Sequence, residues 1–198
     1  LDLKKFDNHK PVKFEKPKRA VILWNHRWEY DKNPEQFFNA LFELDEHGID
    51  FRLVVFGESY KKHPAVFDVA KTKLADKILH FGYADNFDEY AKWLWAADML
   101  PVTSVQDFFG ASIIEAMYCN VVSLLPERLA YLEHIPEQFH STFFYHERNF
   151  IIKRQRRIMD VSYLRVMNTR QYAMKYDWSN MIARSDESMD MVVNQTAV

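Results

Sequence analysis

The chain has 198 residues, of which 48% are apolar and 16% aromatic, and its formal net charge is -2. This composition excludes a disordered or collagen-like chain, and the near balance of charge argues against a polycation built for nucleic acid. The only four glycines are Gly48, Gly57, Gly82 and Gly110, which cannot supply a G-x-G-x-x-G dinucleotide fingerprint or a P-loop.

Short apolar runs alternate with amphipathic segments along the chain. In order, the predicted elements are a strand at 20–25, a helix opened by Asn33 and Pro34 and closed by Gly48, a strand at 51–56, a helix at 64–75, a strand at 78–81, a helix opened by the Asn86 and Glu89 capping box, a strand at 99–103, a helix opened by Gly110, a strand at 121–125 and a weaker strand at 142–145. From about residue 147 the pattern predicts two or three further helices.

Strands separated by helices of this length predict an α/β fold with a Rossmann-like parallel sheet and helices on both faces. We predict an interdomain linker at 1–19, a Rossmann-like domain at 20–145 and C-terminal helices at 146–198. Because the chain begins without Met in a lysine-rich segment, it is expected to be a fragment. Cys119 is the only cysteine, which excludes an internal disulfide and fits a reducing cytoplasm. No apolar run is long enough for a membrane span.

Parallel sheets bind ligands in the loops at the carboxyl ends of their strands, here 25–33, 57–63, 82–86 and 104–110. Arg27 and Lys32 follow the first strand and precede a helix, so two cations and helix N–H groups could hold a diphosphate. His26 could contact a ligand there. The alternative is a solvated polar loop with a packed histidine.

A second anion site is predicted where Gly110 opens a helix. Asp107 precedes this helix and Glu115 lies within it, among apolar neighbours. A carboxylate on so apolar a helix must face water or find donors, and ribose hydroxyls are suitable donors. An exposed helix glutamate is the alternative. No D-x-D triplet occurs in the sequence, so no metal site is expected.

These motifs resemble those of retaining GT-B glycosyltransferases of family 4. Arg27-x4-Lys32 is similar to the family's R-x4-K pair, and Asp107-x7-Glu115 to its E-x7-E motif. Three sequence segments resemble the tRNA-queuosine alpha-mannosyltransferase family: ILWNHRWEYDKNPEQFF, HFGYADNFDEY and DFFGASIIEAMYC. The resemblance covers roughly residues 20–130, and Tyr176-Asp177-Trp178 is similar to the closing helix of the fold.

The resemblance implies a C-terminal, donor-binding half of a GT-B fold, with GDP-mannose as donor and queuosine in tRNA as acceptor. It implies catalytic roles for Arg27, Lys32 and Asp107, and no cofactor or metal. It implies that substrate is bound by His26, Phe81, Gly82, Tyr83, Phe108, Phe109, Gly110, Ala111 and Glu115. The N-terminal acceptor-binding domain is expected as the partner, and the fragment alone is expected to be inactive.

Two departures from the family pattern concern Asp107 and Asn120. Asp107 stands where the family has Glu, so its carboxylate reaches one methylene less far. Asn120 stands where glycine is usual, and Asn is the residue that best tolerates a positive φ after glycine. The alternatives to a mannosyltransferase are a non-catalytic nucleotide- or phosphate-binding α/β module and a family 4 enzyme with another donor and a glycan or lipid acceptor.

A basic segment follows the predicted domain, and it is either an RNA-binding surface for the acceptor or a solvated helix face. Between residues 147 and 175 the only acidic residues are Glu147 and Asp160. The basic residues of this segment are Arg148, Lys153, Arg154, Arg156, Arg157, Arg165, Arg170 and Lys175.

Overall fold

The computed structural model describes residues 1–11, 16–58, 63–146 and 160–182. Its six strands form one parallel sheet in the order β3-β2-β1-β4-β5-β6. The strands are β1 Val21–Asn25, β2 Arg52–Phe56, β3 Ile78–Gly82, β4 Met99–Pro101, β5 Val122–Pro126 and β6 Phe144–Tyr145. The α/β class and the parallel sheet predicted from the sequence are confirmed.

The described part of the chain also contains seven α-helices and five short 3-10 turns. The α-helices are α1 Pro34–Glu46, α2 Val66–Lys73, α3 Phe87–Ala96, α4 Ala111–Tyr118, α5 His140–Phe143, α6 Val161–Val166 and α7 Arg170–Ala173. The 3-10 turns are Lys4–His9, Tyr30–Lys32, Leu129–Glu133, Glu137–Phe139 and Met174–Tyr176. None of these helices is long and apolar enough to cross a membrane.

The predicted helix caps are present at α1 and α3. Asn33 lies in the left-handed region at φ 50°, and its Oδ1 accepts from the Gln36 N–H at 3.4 Å. Asn86 Oδ1 accepts from the Glu89 N–H at 2.9 Å. Asn120 also has a positive φ, 62°, as its replacement of glycine requires, and its side chain accepts from the Arg170 N–H.

The strand predicted at 142–145 is only partly right. Residues 140–143 form a single helical turn, α5, and only Phe144 and Tyr145 pair with β5. Short apolar runs do not distinguish strand from helix by periodicity, which explains the difference. The predicted helices after residue 147 fall partly outside the described residues; between 160 and 182 the structure has α6, α7 and a 3-10 turn.

β1 occupies the centre of the sheet, between β2 and β4, and all five of its residues are buried. Right-handed crossovers place α1 and α2, which contact each other, on one face, and α3 and α4 on the other. The strand order therefore reverses between β1 and β4. A crevice at the carboxyl end of this switch point is where open α/β sheets bind ligands.

Residues 1–9, in the predicted linker, pack against the sheet domain. Leu3 and Phe6 are fully buried, and the Phe6 ring lies 4.9 Å from that of Phe87. Asp177 Oδ2 accepts from the Leu3 N–H at 3.0 Å, which joins this segment to the end of the described chain. The division into linker, domain and C-terminal helices stays a prediction.

Asp98 ties the amino edge of the sheet together. Its carboxylate is fully buried and accepts from the Val21 N–H at 3.0 Å, from Lys16 Nζ at 3.1 Å and from Arg165 Nε at 3.0 Å. Arg165 also donates to Pro17 O. One carboxylate thus joins the lead-in before β1, the turn before β4 and helix α6.

We expect Asp98→Ala to lower the free energy of unfolding by about 3 kcal/mol, because it leaves two cations without their buried partner. Urea denaturation of the two proteins measures the difference. The matched control is Asp50→Ala, whose half-exposed carboxylate pairs with Arg19 and Arg52 and should contribute at most about 1 kcal/mol. Equal losses for both variants would contradict the structural role of Asp98.

Candidate functional site

A cavity of about 650 Å³ opens at the carboxyl edge of the sheet, at the switch point. All four loops selected from the sequence, or the strand ends that lead into them, contribute to its wall. The lining residues are Asn25, His26, Arg27, Lys32, Phe56, Gly57, Tyr83, Ala84, Asp85, Asn86, Phe87, Tyr90, Asp107, Gly110, Ala111 and Ser112. Its volume lies in the range of small-molecule sites in proteins.

The two predicted cations differ in their surroundings. Lys32 ends a 3-10 turn and is buried; its Nζ donates to Gln106 O at 2.8 Å and lies 3.2 Å from Asp31 Oδ2 and 3.6 Å from Asp107 Oδ2. Arg27 is exposed and pairs with Glu29 across 3.1 Å. Lys32 is therefore a fixed charge in the wall, whereas Arg27 lies in a solvent-accessible pair that a ligand can replace.

Asp107 shapes the entrance to α4. Its Oδ1 accepts from the Gly110 N–H at 2.9 Å, and its Oδ2 accepts from the Tyr131 hydroxyl at 3.2 Å. Burial, and then the charge of Asp107, raise the pKa of Tyr131. Gly110 has φ 78°, so the turn suits glycine, and Gly110 and the first two residues of α4 line the cavity. Both oxygens of Asp107 are occupied within the chain.

His26 is a buried, neutral cavity residue. Burial, followed by the charge of Lys32, lowers the pKa of the imidazole to about 4. Its Nε2 makes no hydrogen bond within the described part of the chain. The backbone behind it is tightly packed: a Cβ on Gly57 would lie 2.5 Å from His26 O and 2.8 Å from the Trp28 ring. One ring nitrogen of His26 is therefore buried without a hydrogen-bond partner in the described part of the chain.

A hydrogen-bonded chain of side chains links the cavity wall to Glu115. The Tyr90 hydroxyl donates to Glu115 Oε2 at 2.7 Å and accepts from Asn25 Nδ2 at 2.9 Å. Asn25 Nδ2 also donates to Ser112 O at 3.1 Å. Burial raises the pKa of Glu115, and the bond from Tyr90 acts against that rise. Tyr90 and Asn25 line the cavity, whereas Glu115 does not.

The remaining predicted binding residues are divided between the cavity and other surfaces. Tyr83, 67% exposed, and Ala111 line the cavity. Phe81 packs on the Trp28 ring at 5.2 Å and is not part of the lining. Phe108 is 90% exposed.

Phe109 and Gly82 also lie outside the lining. The Phe109 ring contacts the rings of His134 and Tyr176, and its carbonyl oxygen lies 2.7 Å from His134 Nε2. Gly82 has φ 131° and ends β3. These two residues shape the backbone beside the site.

Sequence reasoning missed Asn25, Tyr90 and Tyr131. Asn25 had a signal, because a polar residue ends an otherwise apolar strand. The periodicity of its helix places Tyr90 on the apolar face and gives no indication of a role for the hydroxyl. Tyr131 carried no signal, because its 3-10 turn has no periodic pattern and its partner Asp107 lies far away in the sequence.

Three cations of the basic segment make contacts within the chain. Arg165 binds Asp98, Arg170 binds Asp7 at 2.6 Å, and Lys175 contacts Glu133 O. Arg148 and the four cations at 153–157 lie outside the described residues. The described part of the segment therefore adds ion pairs to the fold rather than a free basic surface.

A family model described as glycosyl transferases group 1 matches residues 5–140. The chain belongs to this family. It is 36% identical over 117 residues to tRNA-queuosine alpha-mannosyltransferase of Drosophila melanogaster, which is 59% of this chain and 31% of that protein. It is 31% identical over 97 residues to 2-deoxystreptamine glucosyltransferase of Streptomyces kanamyceticus, which is 49% of this chain and 25% of that protein. The chain thus spans less than a third of either relative.

Solved structures share the fold of this group 1 glycosyltransferase domain. A sucrose-phosphate synthase from Thermosynechococcus elongatus matches with a TM-score of 0.72 and 17% identity, over 98% of this chain and 49% of that one. The C-terminal domain of a glycosyl transferase group 1 family protein from Francisella tularensis matches with a TM-score of 0.65 and 18% identity. The match covers 90% of this chain and 98% of that one. These matches confirm the predicted C-terminal half of a GT-B fold.

Acidification should destabilise the parent protein more than a His26→Asn variant. The folded-state pKa of about 4 lies below the usual 6.5, so the unfolded state binds more protons between these values. The lowered pKa makes a contribution to the free energy of unfolding that is fully present above pH 6.5. This contribution is lost as the pH falls to about 4, and the total loss is ~3 kcal/mol. Urea denaturation at several pH values measures this slope. Parallel stability curves for the two proteins would contradict the buried neutral histidine.

Proposed function

We propose that this chain is the donor-binding half of a retaining glycosyltransferase that transfers mannose from GDP-mannose to queuosine in tRNA. The observation that carries the proposal is the cavity at the switch point, which is lined by Arg27, Lys32 and the first residues of α4. Cations and helix N–H groups together suit a diphosphate. The family match supports a sugar-transfer reaction.

In this proposal Arg27 and Lys32 bind the diphosphate and stabilise the negative charge that develops as GDP departs. Such stabilisation is strongest when the charges are already in place, as Lys32 is, held by Gln106 O and Asp31. Arg27 adds the second charge by exchanging Glu29 for phosphate. These two cations, rather than a metal ion, neutralise the leaving group.

The sugar and the nucleoside take opposite parts of the same cavity. We assign the hexose to the part of the cavity lined by Asp107 and His26, and the ribose to the part beside Tyr90, whose hydroxyl contacts Glu115. Tyr83 is assigned to the nucleobase, since it is exposed beyond β3. Mannose as sugar and tRNA as acceptor are supported by the relative whose name states this reaction. Guanine as base is supported by the resemblance of the sequence around His26 to the same family.

We expect GDP to raise the melting temperature of the protein more than UDP or ADP does. Ligand at about 100 times its Kd adds about 2.7 kcal/mol to stability, which differential scanning fluorimetry detects. Arg27→Ala should weaken GDP binding about tenfold, because one charge-assisted contact is lost.

Arg19→Ala is the matched control for Arg27→Ala. Arg19 is also an exposed arginine in an ion pair, with Asp50, but it precedes β1 at the opposite edge of the sheet. It should bind GDP like the parent. A larger shift with UDP would overturn the guanine assignment, and unchanged binding in Arg27→Ala would place the diphosphate elsewhere.

The acceptor is tested with the full-length protein and labelled GDP-mannose. We expect label in tRNA that carries queuosine and none in the same tRNA with guanine at that position. Transfer to a lipid or glycan fraction instead would replace the acceptor while leaving the donor assignment intact. Changing Lys153, Arg154, Arg156 and Arg157 to Gln should weaken tRNA binding and flatten its salt dependence if the basic segment contacts the acceptor.

A further inference from the structure

The structure assigns Tyr90, held by Asn25, the role of a positioning residue that orients the carboxylate of Glu115 towards the ribose. The inference rests on the proposed function, in which Glu115 binds the ribose hydroxyls of the donor. It adds two residues from outside the recognised motifs, one at the end of β1 and one on α3. Neither belongs to the Arg27–Lys32 pair or to the Asp107–Glu115 segment.

The direction of the hydrogen bonds follows from the chemistry of the groups. A carboxamide N–H can only donate, so the Tyr90 hydroxyl accepts from Asn25 Nδ2 at 2.9 Å. The single phenolic proton is then left for Glu115 Oε2, 2.7 Å away. Asn25 itself is held because its Nδ2 also donates to Ser112 O, on the first turn of α4.

Glu115 is itself partly buried, on a helix whose adjacent residues are apolar. Ile113, Ile114, Ala116 and Met117 on the same helix are fully buried. An unpaired carboxylate in such surroundings is costly, and among the described residues only the Tyr90 side chain donates a hydrogen bond to it. A carboxylate has about four acceptor positions, so one bond to Tyr90 leaves room for ribose hydroxyls.

The position of Tyr90 connects Glu115 to the ligand cavity. Tyr90, Asn25 and Ser112 all line the cavity, whereas Glu115 does not. The three elements that supply the chain, β1, α3 and α4, meet at the switch point of the sheet. Without the tyrosine hydroxyl, the Glu115 side chain would lose the contact that holds it beside the wall.

The test compares the binding of GDP with that of dideoxy-GDP, which lacks both ribose hydroxyls. The two dissociation constants are measured by isothermal titration calorimetry on the full-length protein. The parent should prefer GDP by about tenfold, the value of a charge-assisted hydrogen bond. Tyr90→Phe should remove most of this preference by weakening GDP and leaving dideoxy-GDP within about twofold. Glu115→Gln should do the same, and the double variant should add little, because the two residues act together.

Tyr118→Phe is the matched control. Tyr118 also donates a hydrogen bond to a carboxylate, Asp7 Oδ2 at 2.9 Å, but it does not line the cavity, so this variant should keep the full preference for GDP. Asn25→Ala is a second route should Tyr90→Phe fold poorly; it removes the bond that directs the hydroxyl and should reduce the preference in part.

Three results would overturn the inference. Equal weakening of GDP and dideoxy-GDP by Tyr90→Phe would make Tyr90 a general wall residue. A preference that survives in Tyr90→Phe but not in Glu115→Gln would show that Glu115 orients itself. If the preference for GDP over dideoxy-GDP is lost in Tyr90→Phe but kept in Glu115→Gln, the ribose contact belongs to Tyr90 itself. If UDP rather than GDP binds the parent, the guanine assignment fails, and UDP with dideoxy-UDP decides the role of Tyr90.

Discussion

The position of β1 between β2 and β4 is the constraint on which the site depends. The chain leaves β1 towards one face of the sheet and leaves β4 towards the other, so the loops after these strands diverge. The resulting crevice collects residues from the ends of β1, β2 and β3 and from the loop after β4. Asn25, at the last position of β1, therefore contacts Tyr90 of α3 and Ser112 of α4 at once.

The charges in the crevice are arranged around one buried cation. Lys32 has two carboxylates within 4 Å, Asp31 and Asp107, so its charge is more than balanced before any ligand enters. A diphosphate can join only if it displaces part of this arrangement or brings in Arg27, which is exposed beside Glu29. In the proposed function Lys32 would lose little conformational entropy on binding because it is already held, whereas the exposed Arg27 would supply the adaptable contact. A fixed and a mobile cation together suit a group whose charge increases as the bond breaks.

The sequence predicted the sheet, the caps of α1 and α3 and the loops that form the crevice, because each depends on local patterns. It predicted that the loops carrying Arg27, Lys32 and Asp107 lie at one edge of the sheet, because parallel strands bring their carboxyl ends together, and all three residues line the cavity. It could not predict the bonds from Tyr131 to Asp107 or from Tyr90 to Glu115, whose partners lie 24 and 25 residues apart. Helical periodicity assigns Tyr90 to the apolar face of α3 and says nothing about its hydroxyl.

Two carboxylates, Asp98, which is fully buried, and Glu115, which is partly buried, show how a structural role differs from a binding role. Asp98 is paired with two cations and a backbone N–H, so its charge is fully compensated and no acceptor position faces a cavity. Glu115, among the described side chains, receives one hydrogen bond, from the neutral hydroxyl of Tyr90, which lines the cavity. A partly compensated carboxylate gains more from an additional donor than a fully paired one, because its desolvation has not been repaid. Ribose hydroxyls that reach Glu115 past Tyr90 would complete its hydrogen bonding, and that unfilled capacity distinguishes it from Asp98.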